Sequence, residues 1–229
     1  MRLIRRPSPN FGPRRDGLRP ELVVVHHTAM PTAEVAVARL CDPESEVSAH
    51  WLIGEDGTLW ALVAEDDRAW HAGVGSWRGR ADVNSRSIGV ELANPGPLAG
   101  FPPFPEPQVA ALEALLDGIR GRWGIGAAGV IGHADMAPGR KADPGPAFDW
   151  RRLALGGRAV WAEASAAAGG EAAFLAAAGR FGYPVAEAGP EAVLAAFRLR
   201  FRPWATGPVA PEDVGVAEAL LPEAQGSPG

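Results

Sequence analysis

The chain has 229 residues, 47% of them hydrophobic and 21% charged, with a net charge of −5 at pH 7. That composition is ordinary for a globular protein, and the length allows one well-buried domain with something left over. The acidic balance argues against a nucleic-acid binder, no run approaches the roughly 20 apolar residues of a membrane span, and a single cysteine, Cys41, excludes an internal disulfide.

Residues 1–20 read as an irregular arm. Arg2, Arg5, Arg6, Arg14, Arg15 and Arg19 crowd it and Pro7, Pro9, Pro13 and Pro20 interrupt it. The next apolar run, Leu22–Val25, is too short to be the core of an export signal. "ELVVVHHT" is then a short β-branched strand that ends at two histidines, and "PTAEVAVARLC" a short helix with Pro31 near its first turn. "HWLIGEDGTLWALV" predicts two strands joined by a turn at Asp56-Gly57, and "SIGVELAN" predicts another strand. "NPGPLAGFPPFPEP" has too many prolines for either regular element and reads as a rigid loop.

Beyond it Val109, Leu112, Leu116, Ile119 and Trp123 recur at three- and four-residue steps, an amphipathic helix that Gly124 stops. "GVIGH" supplies one more strand with His133 at its end, and "GHADMAPGRKADPG" follows as a loop punctuated by glycine and proline. Strands alternating with helices predict an α/β domain over residues 21–160 with a largely buried sheet. From there the composition shifts to alanine. "EAAFLAAAGRFGYPV" and "PEAVLAAFRLRFRP" predict two helices within a small helical region, 161–208, too short to be a secure independent domain. Residues 209–229 read as a flexible tail.

Five polar residues stand at the ends of elements or inside an apolar one. His26 ends the first strand, His133 ends the "GVIG" strand, and Asp143 lies in the loop after it. Two imidazoles and one carboxylate suit Zn2+ with a fourth position open, the ligand count of a catalytic rather than a structural zinc. Glu91 sits within an apolar strand, where a carboxylate without a partner is costly or becomes protonated and where a nearby cation would relieve it. Lys141 lies two positions before Asp143. The same residues admit plainer readings: a strand-buried histidine held by a carbonyl, and a solvated loop lysine.

Five blocks in fixed order, "VVVHHTA", "VSAHWLIGEDG", "AWHAGVGSWRG", "NSRSIGVELAN" and "GHADMAPGRKADPG", carry a resemblance over roughly residues 21–150. Together they resemble the zinc-dependent N-acetylmuramoyl-L-alanine amidases of the type 2 amidase family, which is related to phage T7-type lysozyme and peptidoglycan recognition proteins. The similarity is greatest to the AmiD-like branch, whose small peptidoglycan-binding-like helical region "FGYPV…AFRLRFRP" also resembles. The resemblance implies a mixed central sheet flanked by helices, and one zinc per chain held by His26, His133 and Asp143, with His26 rather than His27 as the first histidine of "V-H-x-T". It implies Glu91 as the general base for a metal-activated water and Lys141 beside the developing oxyanion. The bond cleaved would join N-acetylmuramic acid to the L-alanine of the stem peptide.

In the phage and recognition-protein branch a tyrosine stands where this chain has Ala49, and a cysteine where it has Asp143; both differences favour the bacterial amidase branch. His71, Trp70, Trp77, Arg78 and Asn94 fall in or beside matching blocks and are expected to line a groove for sugar or peptide, with core or rim packing the plainer reading for each tryptophan. His50 is expected to pack near the site without ligating. The partner expected is peptidoglycan fragments or the sacculus, with no nucleic acid and no membrane span; the sequence leaves protein partners open. The lack of a signal peptide or lipobox cysteine points to the cytoplasm, and the wall-binding-like helices to the periplasm as the alternative. Two other functions compete: a recognition module of the same fold without catalysis, and a zinc hydrolase of a different amide. A recognition module would lack one or more of the five polar residues.

Overall fold

The run Leu22–His27 lies inside a six-stranded sheet in the computed structural model, which describes residues 2–163 and 165–221. In chain order the strands are β1 (Leu3–Arg5), β2 (Phe11–Gly12), β3 (Leu22–His27), β4 (Trp51–Ile53), β5 (Leu59–Ala61), β6 (Arg68–Ala69), β7 (Ser87–Leu92) and β8 (Val130–Gly132). The helices are α1 (Ala33–Leu40), α2 (Val83–Arg86), α3 (Glu106–Trp123), α4 (His133–Met136), α5 (Trp150–Leu155), α6 (Gly170–Phe181), α7 (Val185–Ala188), α8 (Pro190–Phe201) and α9 (Pro211–Ala219). The large sheet runs β1-β5-β4-β7-β3-β8, while β2 and β6 form a separate antiparallel pair. Strand β7 pairs in parallel with β3 and β4, and β8 in parallel with β3; β4 and β5 form the expected antiparallel hairpin.

Alternation along β3 divides the core into two faces. Val23 and Val25 join Ile88, Val90 and Leu92 beneath Leu112, Leu116 and Ile119 of α3. Leu22 and Val24 face the other way, with Ile131, and pack against Phe174, Phe181, Phe197 and Phe201 of α6 and α8. The C-terminal helices therefore cover the second face of the sheet, which a two-sided apolar strand such as "LVVV" requires. Among the described residues no helix is long and apolar enough to cross a membrane.

Three expectations are corrected. The N-terminal arm is not wholly irregular. Leu3–Arg5 adds a parallel strand at the sheet edge against β5, and Arg14 donates to the carbonyls of Glu65, Ser85 and Ser87. Short edge strands leave no periodicity to read, and prolines are tolerated beside them. The segment 209–229 is not a tail throughout: Pro211–Ala219 forms α9, with Val214, Val216, Ala217 and Leu220 buried in the same core as α6. The end of that segment, residues 222–229, lies outside the described residues. Finally, the loop after β8 opens with one helical turn, α4, closed by the Asp135 carboxylate accepting the Gly132 N–H at 2.8 Å.

Candidate metal centre

Register builds the site. His26 of β3 is paired with Glu91 of β7, and Val25 with Gly132 of β8, so the residues that follow Val25 and Gly132 are His26 and His133. The carboxyl ends of parallel strands are where α/β sheets bind ligands, and here they deliver two imidazoles and a carboxylate side by side. The loop then folds back: the Ala134 N–H donates to the Asp143 carbonyl at 2.9 Å, which brings Asp143 beside His133. A cavity of about 410 Å3 opens over these groups.

His26 Nδ1, His133 Nδ1 and Asp143 Oδ2 form a triangle with sides of 2.9, 2.9 and 3.1 Å. Their outer hydrogen bonds assign the tautomers. A carbonyl can only accept, so the 2.9 Å contact between His133 Nε2 and the Ala72 oxygen puts the His133 proton on Nε2. On the other side, Ser87 spends its hydroxyl proton on the Val83 carbonyl at 2.6 Å and can only accept from His71 Nε2, 3.2 Å away. His71 Nδ1 is then an acceptor, and His26 Nε2 donates to it at 3.1 Å. Both ligand histidines thus turn a bare Nδ1 lone pair to the centre.

Charge agrees with this assignment. Burial, reinforced by His133, pushes His26 down to about 4, and burial pushes His71 well below the ordinary histidine value. Burial would raise the Asp143 carboxyl, and what holds it well below the usual carboxylate range is a proton, or a cation in its place, shared with the facing His133 and His26. Three buried acceptors with no proton among them repel one another unless a cation stands between them. Two nitrogens and one carboxylate oxygen, oriented from behind by a carbonyl and a third histidine, fit a zinc-type ion with an open coordination position.

Glu91 lies on the cavity side of β7, with Oε2 buried and without a hydrogen-bond partner among the described residues. Burial, and then the Asp143 charge, push its carboxyl up to about 8, against the pull of Lys141. A carboxyl so placed can hold or release a proton near neutrality. Lys141 is exposed at the cavity wall beside Asp143.

The remaining expected residues separate. His71 and Trp70 line the cavity, His71 with both ring nitrogens occupied by His26 and Ser87. Trp77 is not brought to it: the ring is fully buried, edge-on to Phe181 and Tyr183, and offers no face to a sugar. Arg78 is turned to the C-terminal helices, with Nε donating to the Phe181 carbonyl at 3.4 Å. Asn94 is buried in the proline-rich loop, where its side chain accepts from Gly96 N–H at 2.8 Å and donates to the Pro102 carbonyl at 3.0 Å. His50 packs behind His71 with Nδ1 accepting the Gly89 N–H at 2.9 Å.

Sequence reasoning did not single out Ser87, although it lies four residues before Glu91 and alternation along β7 places both on one face. Nor did it find Arg39, Arg140 or Phe101 at the cavity wall, which long-range contacts alone bring there.

A family model described as N-acetylmuramoyl-L-alanine amidase matches residues 16–146. The chain is 36% identical over 231 residues to the N-acetylmuramoyl-L-alanine amidase AmiD of Escherichia coli (strain K12), covering 89% of this chain and 83% of that protein. It is 38% identical over 164 residues to the 1,6-anhydro-N-acetylmuramyl-L-alanine amidase AmpD of Citrobacter freundii, covering 64% of this chain and 86% of that one. Its fold matches the structure of E. coli AmiD in complex with the substrate anhydro-N-acetylmuramic acid-L-Ala-D-gamma-Glu-L-Lys, with a TM-score of 0.78, 34% identity and 93% of each chain covered.

Proposed function

This chain belongs to the N-acetylmuramoyl-L-alanine amidase family, and from that premise we propose that it hydrolyses the amide between N-acetylmuramic acid and the L-alanine of the stem peptide, in peptidoglycan or its fragments, with one zinc ion held by His26, His133 and Asp143. The observation that carries this reading is the convergence of three proton-free donors beside the buried Oε2 of Glu91, which has no partner among the described residues. A zinc ion held there supplies Lewis acidity that polarises a carbonyl and makes water acidic near neutral pH.

The protein's own groups do the rest. Glu91 accepts a proton from the water whose oxygen bonds to the amide carbon. It returns that proton to the nitrogen as the C–N bond breaks, leaving a carboxylic acid on the lactyl group and a free amine on L-alanine. The Lys141 ammonium faces the negative charge that gathers on the carbonyl oxygen. Arg39 and Arg140 bring the cations of the cavity wall to three, which suits a stem peptide bearing free carboxylates. A recognition module would have no use for Glu91, since burying a carboxyl without a partner costs stability and adds no binding surface.

The test is mass spectrometry of anhydro-muropeptides and intact sacculi after incubation with zinc-loaded and chelator-stripped protein. Zinc-dependent release of stem peptide beginning with L-alanine is the expected result, and the better substrate identifies the physiological one. Zinc binding without release from either substrate would turn the reading to a recognition module or another amide.

A further inference from the structure

Asp135 is 1% exposed, two residues beyond His133 in α4, and no step above uses it. Its carboxylate accepts three hydrogen bonds: from the Gly132 N–H at 2.8 Å, the Tyr183 hydroxyl at 2.5 Å and Arg200 Nη1 at 2.7 Å. Tyr183 follows α6 and Arg200 lies on α8, so two of the three donors come from the C-terminal helices. The first donor is the residue immediately before His133.

Arg200 reaches the turn before His133 by a second route. Its guanidinium stacks 4.1 Å over the Trp150 ring. That ring and Pro144, the neighbour of Asp143, close on Gly132 so tightly that a Cβ added there would lie 2.9 Å from Pro144 Cδ and 3.3 Å from Trp150 Cζ2. The cation thus braces the His133 turn twice, through Asp135 and through Trp150 behind Gly132, and the Ala134 N–H of that turn holds the Asp143 carbonyl at 2.9 Å. A buried ion pair is a poor source of net stability, whereas a metal centre requires its donors to be held in place by the groups behind them.

We propose that Asp135, Tyr183 and Arg200 are positioning residues for the metal half of the site, through which the C-terminal helices hold His133 and Asp143 at ligating separation. The inference rests on the zinc reading above.

The test uses the full chain and reads zinc affinity by competition with a chromophoric chelator, kcat and KM on an anhydro-muropeptide, and thermal unfolding without metal. Tyr183→Phe removes one hydroxyl, and Arg200→Lys keeps the charge while losing the fork and the stack. Arg198→Lys is the comparison, because Arg198 belongs to a second buried cluster with Asp213 that does not touch the cavity. Tyr183→Phe and Arg200→Lys are expected to weaken zinc binding about tenfold or more and to lower kcat with little change in KM. Arg198→Lys is expected to lower the unfolding temperature with zinc affinity unchanged. Folded Tyr183→Phe with wild-type zinc affinity and kcat would overturn the proposal even if Arg200→Lys fails to fold. So would an equal loss of affinity in Arg198→Lys, which would reduce the network to general stability. A wild-type chain that binds no zinc would overturn the metal reading itself.

Discussion

The His71 imidazole lies so close to the backbone of Gly89 that a Cβ added to Gly89 would fall 2.4 Å from His71 Cγ. Gly89 stands between Ser87 and Glu91 on the cavity face of β7, and its missing side chain is the space that the ring fills. The ring has nowhere to retreat, since its nitrogens are bonded to Ser87 and His26 and His50 stands behind it. Gly89→Ala is therefore expected to displace His71, cost about 1–3 kcal/mol of stability and weaken zinc binding by releasing His26 Nε2. Urea unfolding and chelator titration measure the two effects. Wild-type zinc affinity in the folded variant would show that His71 does not orient His26.

Glu91→Gln keeps the shape of the side chain and removes the base. Zinc binding should persist, because Glu91 is not among the three converging donors. Turnover should fall by about 10²–10⁴. Zinc content and single-turnover release of stem peptide, measured on one preparation, separate binding from chemistry. Turnover near that of the wild type would remove Glu91 from the mechanism.

How far the site could be read from sequence depended on where its parts lie. His26, Glu91 and His133 were legible because each interrupts or ends an apolar strand, and a polar group in such a place needs a reason. Asp143 was legible because its loop has no core to build. The groups behind them were not. Ser87 looks like any strand-opening serine, the Ala72 carbonyl has no side-chain signature, and Asp135 and Arg200 are 65 residues apart and meet only in the folded chain. Trp77 was misplaced for a related reason: a tryptophan in a block that carries the family resemblance suggests a sugar platform, and only packing against Phe181 and Tyr183 shows it to be core. In the fold, the long amphipathic helix and the hairpin announced themselves by period and turn. The three-residue edge strand β1 and the terminal helix α9 did not, because their stabilisation is tertiary.

Acid should destabilise the protein from pH values well above the carboxylate range. Burial pushes His50 from its ordinary 6.5 down to about 3, and His26 moves the same way. Between those values the unfolded chain binds protons that the native state refuses, so stability rises with pH across the window. It is fully present above about pH 6.5 and is lost as pH falls, by about 1.4 kcal/mol per pH unit for each such histidine. Urea midpoints from about pH 7 down to about pH 5 test the slope, measured with chelator present so that metal release does not contribute and on a Glu91→Gln background, because the Glu91 carboxyl, held up to about 8, titrates in the same window with the opposite sign. A flat profile would mean that these imidazoles ionise as readily in the native protein as in the unfolded chain.

Asp213 decides whether α9 is structure or appendage. Its side chain is fully buried and receives Arg198 at 2.6 and 3.2 Å, Arg202 at 2.6 Å and the Ala210 N–H at 2.8 Å. Burial opposes its ionisation, but these donors prevail and hold the carboxyl below its ordinary value. Asp213→Ala would leave two largely buried guanidinium groups without their shared counter-charge, a loss on the order of 3–5 kcal/mol. Ending the chain after residue 209 removes the same carboxylate and also Val214, Val216 and Leu220 from the core beneath α6 and α8. The truncated chain should accordingly be at least as unstable as Asp213→Ala in urea unfolding. A truncated chain with wild-type stability would make residues 211–219 dispensable to the fold.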